Sequence, residues 1–447
     1  MKNLLTFPLG SRASTALCCS AAVLLSACGG GADSGVTQTA AQTTSDATSP
    51  APAVVALPSD TPASSTAEPQ ELIDGLSFPA DATTAAIDAQ ADALTSAPMA
   101  SIYNLYVATT GSDSNPGSQS RPFLTINRAA NLARASTTIH VAPGTYRENV
   151  RTRVHGSATA RIRYVSDTKW GAKVIGSGTE AMWNNSANYN DIVGFDISGS
   201  GRLGILNNGS YTLMAGNHVH HLTVSGGCNG GGGAGINNGN YNGSDGNIIG
   251  NVVHDIGVPG RCGGVQGIYS SNLRGLIYNN IVYRVSAYGI HLWHAANRVV
   301  IANNTVFANG AGGMGGGIIM GVGDSPGGVI MDYTKVINNI VYRNPAASIK
   351  QYCYSGQNCL GRNNVVANNL VYGNGSGIIM RVGSATGTVA ADPQFVNYQA
   401  NGSGDYRLRS TSPAINRGLS SSAPTTDILG VARPRGVAHD IGAYESY

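Results

Sequence analysis

Three short phrases of this chain, Gly267-Ile268-Tyr269, Gly289-Ile290-His291 and Ser348-Ile349-Lys350, place a phenol, an imidazole and an amine at matched positions. If the isoleucine of each phrase points inward along a strand, alternation turns the next residue outward, then the next but one. One outward column then contains Asn237, Tyr269, His291 and Lys350, and a second contains Ser271, Trp293, Tyr352 and Arg381, with His294 beside them. An imidazole titrating near neutrality beside a phenol is a proton-transfer pair. Lys350 falls about 10 Å from His291 if the phrases stack at strand spacing. Tyr269, His291 and Lys350 are therefore the candidate catalytic residues. Asn237, Ser271, Trp293, His294, Tyr352 and Arg381 are the candidate substrate-binding residues. The glycines in the Trp293 column are expected to leave a slot beside the indole.

These columns exist only if the phrases belong to a repeat. A second phrase supports one: Asn217-His218-Val219, Asn251-Val252-Val253, Asn280-Ile281-Val282, Asn304-Thr305-Val306, Asn339-Ile340-Val341 and Asn369-Leu370-Val371. Self-similarity at a period of a few tens of residues predicts a solenoid of short parallel strands, in which the stack of coils is the folding unit. The asparagines are expected to pair coil on coil at a buried corner, because polar groups there must be satisfied. A further outward column, His220, His254, Tyr283, Phe307, Tyr342 and Tyr372, is expected to be an aromatic stack. Asp255 and Arg284 are expected to form a surface ion pair. His218, His220 and His221 match no zinc spacing, so no metal site is expected.

Composition narrows the function. The chain has 447 residues, 60 of them glycine, 11% charged and a formal net charge of +3. Many tight corners follow from so much glycine. With no Lys/Arg cluster, nucleic acid is not an expected partner. Gly310 to Gly315 fits GxGxxG but lacks the strand-turn-helix setting of a dinucleotide site. Glycoside hydrolysis needs two carboxyl groups about 5 to 9.5 Å apart. Between Glu180 and Glu445 there is no glutamate, and Asp191, Asp196, Asp245, Asp255, Asp324 and Asp332 form no adjacent pair in the polar columns.

The N-terminal stretch has a basic start at Lys2 and Arg12, the short apolar run Ala16–Leu25, then Leu25-Ser26-Ala27-Cys28-Gly29. This resembles the signal and lipobox of bacterial lipoproteins. The resemblance implies that residues 1–27 are removed, that Cys28 carries lipid and that the chain sits at the outer membrane. Residues 28–100, rich in Ala, Thr, Ser and Pro, read as a disordered tether. Cys228, Cys262, Cys353 and Cys359 are expected to form disulfides in an exported protein, paired Cys228–Cys262 and Cys353–Cys359.

Gly111-Ser112-Asp113, a helical pattern at Ile126, Ala129, Ala130 and Ala133, and APGTYRENV (142–150) resemble the opening of bacterial right-handed parallel β-helix proteins of the pectate-lyase-like kind. Residues 391–447 resemble their closing segment, with Arg433, Asp440 and Glu445 as polar ties. The implied chain is an all-β, right-handed parallel β-helix with an N-terminal capping helix. Its parts are cap and first coils at 101–185, coils at 186–390 and a C-terminal cap at 391–447. Characterised members of that kind act mostly on polysaccharides, though the clustered-Asp calcium site of pectate lyases and the paired aspartates of polygalacturonase-like hydrolases are missing here. The resemblance therefore implies an acidic-polysaccharide partner and a monomer, with no cofactor assigned. The expected reaction is β-elimination of a uronic acid, with Lys350, Arg381 and Asn237 on the carboxylate and Trp293 under a sugar ring. C5-epimerisation through the same intermediate, and non-catalytic binding or adhesion, are the alternatives.

Overall fold

The computed structural model describes residues 103–446 except 179, 225–231, 258–262, 311–314, 325–327 and 355. The signal, lipobox and tether, Cys28, and the expected Cys228–Cys262 pair lie outside the described residues.

Each coil contributes one strand to each of three parallel sheets, of ten, nine and eight strands among the described residues. One full coil shows the order: Gly246–Ile249, then Val252–Ile256, then Val265–Ser270. Six isoleucines that follow glycine or serine, Ile205, Ile236, Ile268, Ile290, Ile318 and Ile349, are fully buried in one core, while Ile378 in the last of these phrases is half-buried against it. The glycine before them is fixed by packing. A Cβ on Gly235, Gly267 or Gly289 would lie 2.5 Å from a Cγ1 of Val253, Val282 or Val306 in turn. The two repeated phrases therefore face each other across a narrow interior, one supplying the valine and the other the space for it.

The asparagine column is a continuous ladder. The Asn280 backbone N–H and Nδ2 both donate to Asn304 Oδ1 at 2.8 and 2.9 Å, while Nδ2 also reaches Ile248 O at 2.9 Å. The same pattern runs Asn217 to Asn251 to Asn280 and on through Asn339 to Asn369. Each side chain satisfies corner groups that no strand ladder can reach. A second ladder, Asn309 to Asn344 to Asn374, follows five residues later in the last three of these coils. The repeat of asparagine at that offset was its sequence signal.

At the first end, the helix Ile126–Leu132 buries Ile126, Ala129 and Ala130 against the core. Asp113 accepts from Leu124 N, Thr125 N and the Thr125 hydroxyl, and Glu148 accepts from Ile126 N and Asn127 N. Glu148 thus meets two unpaired N–H groups of the first turn, while Asp113 fixes the N-cap residue before it. Burial raises the Glu148 pKa despite these bonds.

The C-terminal segment departs from a simple end cap by running along the flank of four coils. Asn279, Asn303, Asn338 and Asn368 each donate from Nδ2 to a carbonyl of that segment, at Thr426, Asp440, Leu419 and Arg417. Each precedes a ladder asparagine and has positive φ, so the doublet turns one amide out and the next one in. Within the segment, Arg433 is buried against Glu445 at 2.6 Å, and Glu445 also accepts from Asp440 N, as the polar ties predicted.

Candidate functional site

The outer side of the eight-stranded sheet holds the predicted columns in the predicted register. Leu206 pairs with Asn237, Asn237 with Tyr269, Tyr269 with His291, His291 with Ile319 and Ile319 with Lys350. The Tyr269 and His291 rings meet edge to face at 5.1 Å. Lys350 Nζ lies 5.4 Å from the Tyr352 ring centroid. Asn237, Tyr269, Lys350 and Tyr352 are half-buried, and Arg381 is exposed with Nη1 donating to Cys353 O. The Cys353–Cys359 disulfide closes the loop beyond Tyr352.

Four residues of the expected open patch are covered, Ser271 and His294 among them. His291 is 7% exposed and Trp293 1%. Tyr269, Tyr288 and Trp293 surround the His291 ring at 5.1 to 5.6 Å. Burial, then the neighbouring His294, lowers the His291 pKa to about 3, so the imidazole is neutral at physiological pH. The expected slot beside Trp293 is filled by the indole itself. A Cβ on Gly321 would come within 2.7 Å of Trp293 Cζ3, and one on Gly323 within 2.5 Å of Cζ2. Tyr352 and Tyr354 close the other contacts at 5.4 and 5.5 Å. Trp293 therefore packs under this face and is no stacking platform, and His291 is no freely titrating base.

Beneath the half-buried rings lies a concentration of unpaired polar atoms. Asn237 Oδ1, Ser271 Oγ, both side-chain polar atoms of Asn272, His291 Nδ1, Trp293 Nε1 and His294 Nδ1 are buried without a hydrogen-bond partner among the described residues. Each such group costs about 1–3 kcal/mol relative to a paired one, and several of them lie together on this face. His294 also has its pKa lowered, first by burial.

Three residues on this face were missed. Tyr241 lies tilted against His294 at 4.3 Å and is 37% exposed. The Tyr354 hydroxyl donates to the exposed Asp324 carboxylate at 3.0 Å. Carrying the outward alternation one further step, from Gly239 to Tyr241 and from Tyr352 to Tyr354, would have found both tyrosines.

The outer side of the nine-stranded sheet carries the first part of the expected aromatic stack, His220 on His254, His254 on Tyr283 and Tyr283 on Phe307, at 4.6 to 5.3 Å with interplanar angles of 5 to 12°. The stack is not continuous from there: Phe307 turns to Tyr398 and Tyr406, and Tyr342 meets Tyr372 separately at 6.3 Å. The Asp255–Arg284 pair forms at 2.7 Å. The same face also gathers His218, His220, His221 and His254 with Asp196 and Asp255. Burial lowers the His254 pKa to about 4, against the opposing pull of Asp255. Among the described residues, each grouping close enough to share an ion contains histidine, and none is made of carboxylates alone.

Comparison with known proteins bears on the fold. Residues 109–154, most of the N-terminal cap, match a family model described as a protein of unknown function (DUF1565). No curated protein matches the chain. Among solved structures, pectate lyase Pel9A superposes with a TM-score of 0.54 at 18% identity, over 80% of this chain and 100% of that one. A rhamnogalacturonan lyase gives 0.46 at 16% identity over 66% and 91% of the two chains. An alginate lyase from Paenibacillus sp. str. FPU-7 gives 0.35 at 16% identity over 60% and 96%. The chain is a right-handed parallel β-helix. At such identity the likeness reaches the path of the backbone and stops there.

Proposed function

We propose that the chain binds an acidic polysaccharide along the outer face of the eight-stranded sheet. The supporting observation is the register that sets Asn237, Tyr269 and Lys350 in one column, with Tyr352 and Arg381 in the next, over a floor of unpaired polar atoms. Half-buried tyrosines offer flat apolar faces with a hydroxyl at the rim, and Lys350 and Arg381 offer charge to uronate carboxylates. Asp324 is the acidic group beside this strip, and it is engaged by Tyr354.

β-Elimination is the second reading, favoured by the edge contact between Tyr269 and His291. The half-exposed phenol is then the proton-transfer group at the sugar. His291, neutral and buried, is a positioning residue, while Lys350 and Arg381 hold the carboxylate as the enolate forms. C5-epimerisation needs the same groups and differs in the fate of the intermediate. Incubating the chain with alginate, polygalacturonate and glycosaminoglycans separates these readings. Retention on such a polysaccharide without bond cleavage is the expected result. New ultraviolet absorbance from an unsaturated uronate, lost in Tyr269→Phe, establishes the lyase instead, and absence of both binding and cleavage contradicts the proposal.

We also propose that Cys28 is lipid-modified and tethers the β-helix to the outer membrane. The lipobox Leu25-Ser26-Ala27-Cys28 supports this. Metabolic labelling with a radiolabelled fatty acid is expected to mark the chain and to fail in Cys28→Ser.

A further inference from the structure

Coil stacking brings imidazoles from distant parts of the chain to one place on the nine-stranded sheet. His220 pairs in register with His254, and His218 with Asp196 on the preceding coil. His218 Nδ1 lies 2.9 Å from Asp196 Oδ2, and His254 Nδ1 lies 2.6 Å from Asp255 Oδ2. A carboxylate at Nδ1 holds the proton there and leaves Nε2 as a lone pair, the arrangement that orients metal-bound histidines. The two Nε2 atoms so prepared face each other at 2.8 Å. Two lone pairs at that distance repel unless a proton or a cation lies between them. His220 completes the group: one ligand atom from each of His218, His220 and His254 lies within 4.8 Å of the others. A second grouping, His221, His254 and Asp255, shares His254.

We propose that His218, His220 and His254 form a binding site for a divalent transition-metal ion of the zinc, nickel or copper class. Imidazole nitrogen suits these ions, whereas calcium and magnesium take oxygen ligands. Three histidines leave one tetrahedral position open, and the His218 and His220 side chains are 21% and 18% exposed, so solvent reaches the group. Metal–nitrogen bonds of about 2.0–2.1 Å at a tetrahedral angle separate the nitrogens by about 3.4 Å. The His218–His254 pair must therefore open by about 0.6 Å on binding, within the reach of small side-chain rotations. The competing account is that these rings merely extend the aromatic stack, since Trp170 stacks on His218 at 4.7 Å and Tyr283 on His254 at 4.6 Å.

The purified full chain, stripped with a chelator, tests the proposal by titration with Zn²⁺ and, separately, with Co²⁺ as a spectroscopic probe. One ion per chain is expected, with the intense visible absorption of tetrahedral cobalt and no competition from excess Ca²⁺. His254→Phe keeps a flat ring in the stack and is expected to abolish the cobalt spectrum while the chain still unfolds cooperatively. Asp255→Asn, which disturbs the support of a ligand, is expected to weaken affinity about 10- to 100-fold. Failure of the parent chain to bind stoichiometrically overturns the proposal, as does a His254→Phe chain that keeps the parent cobalt spectrum.

Discussion

The outer faces of the eight-stranded and nine-stranded sheets are built on the same repeat and end in opposite states of polar satisfaction. On the nine-stranded face, His218, His220 and His254 each contact a carboxylate, and Arg284 completes Asp255. Farther along, the stack is sealed by the C-terminal segment, with Tyr406 against Phe307 at 4.5 Å and Tyr398 at 5.6 Å. On the eight-stranded face, His291, His294, Trp293 and Ser271 keep buried atoms without partners among the described residues. A repeat fixes backbone register equally on both faces, so the difference lies in the side chains that each coil places there.

The sharpest way to break this comparison is to remove the covered aromatic. Phe307→Ala should lose about 3–5 kcal/mol in denaturant unfolding and loosen the C-terminal segment to protease. An unchanged midpoint would mean that the segment is not held by the stack.

Acid tests the other face. The buried His291 has its pKa lowered to about 3 by burial and His294, while the unfolded chain takes up the proton near 6.5. Between these values the unfolded state binds more protons, so stability falls as pH drops through this window and is fully present above it. His291 faces Tyr269 and Tyr288, with His294 as the nearby titratable ring. Between pH 7 and 4 the expected loss from this group is roughly 3 kcal/mol. His291→Phe should remove that share of the acid sensitivity, and an unchanged pH profile would place the imidazole in water.

The same substitution on both faces gives a smaller contrast. His254→Phe discards a bond to Asp255 and should cost about 1–3 kcal/mol. His291→Phe discards an unpaired nitrogen and should lie within about 1 kcal/mol of the parent, on either side. Equal losses at 254 and 291 would erase the distinction between the faces.

What the sequence could show follows from what repeats. The Gly-Ile phrase placed Ile268 and Ile290 inside and Tyr269 and His291 on the outer side of adjacent coils, because alternation and stacking are properties of the backbone. It could not show what lies over a column. Trp293 points away from the core and is still buried, since Gly321, Gly323, Tyr352 and Tyr354 close around it. Nor does any local spacing join His218 to His254, which are 36 residues apart and meet only once the coils stack. Flank contacts were equally hidden, although the doublets Asn279-Asn280 and Asn303-Asn304 carried the signal in plain view.

The most direct test of the central claim is oxidative footprinting of the chain with and without an acidic oligosaccharide that it retains. Protection of Tyr241, Tyr269 and Tyr352, with His220 and His221 as reactive as before, is the predicted result. Protection confined to the histidine face, or none at either face, would contradict it.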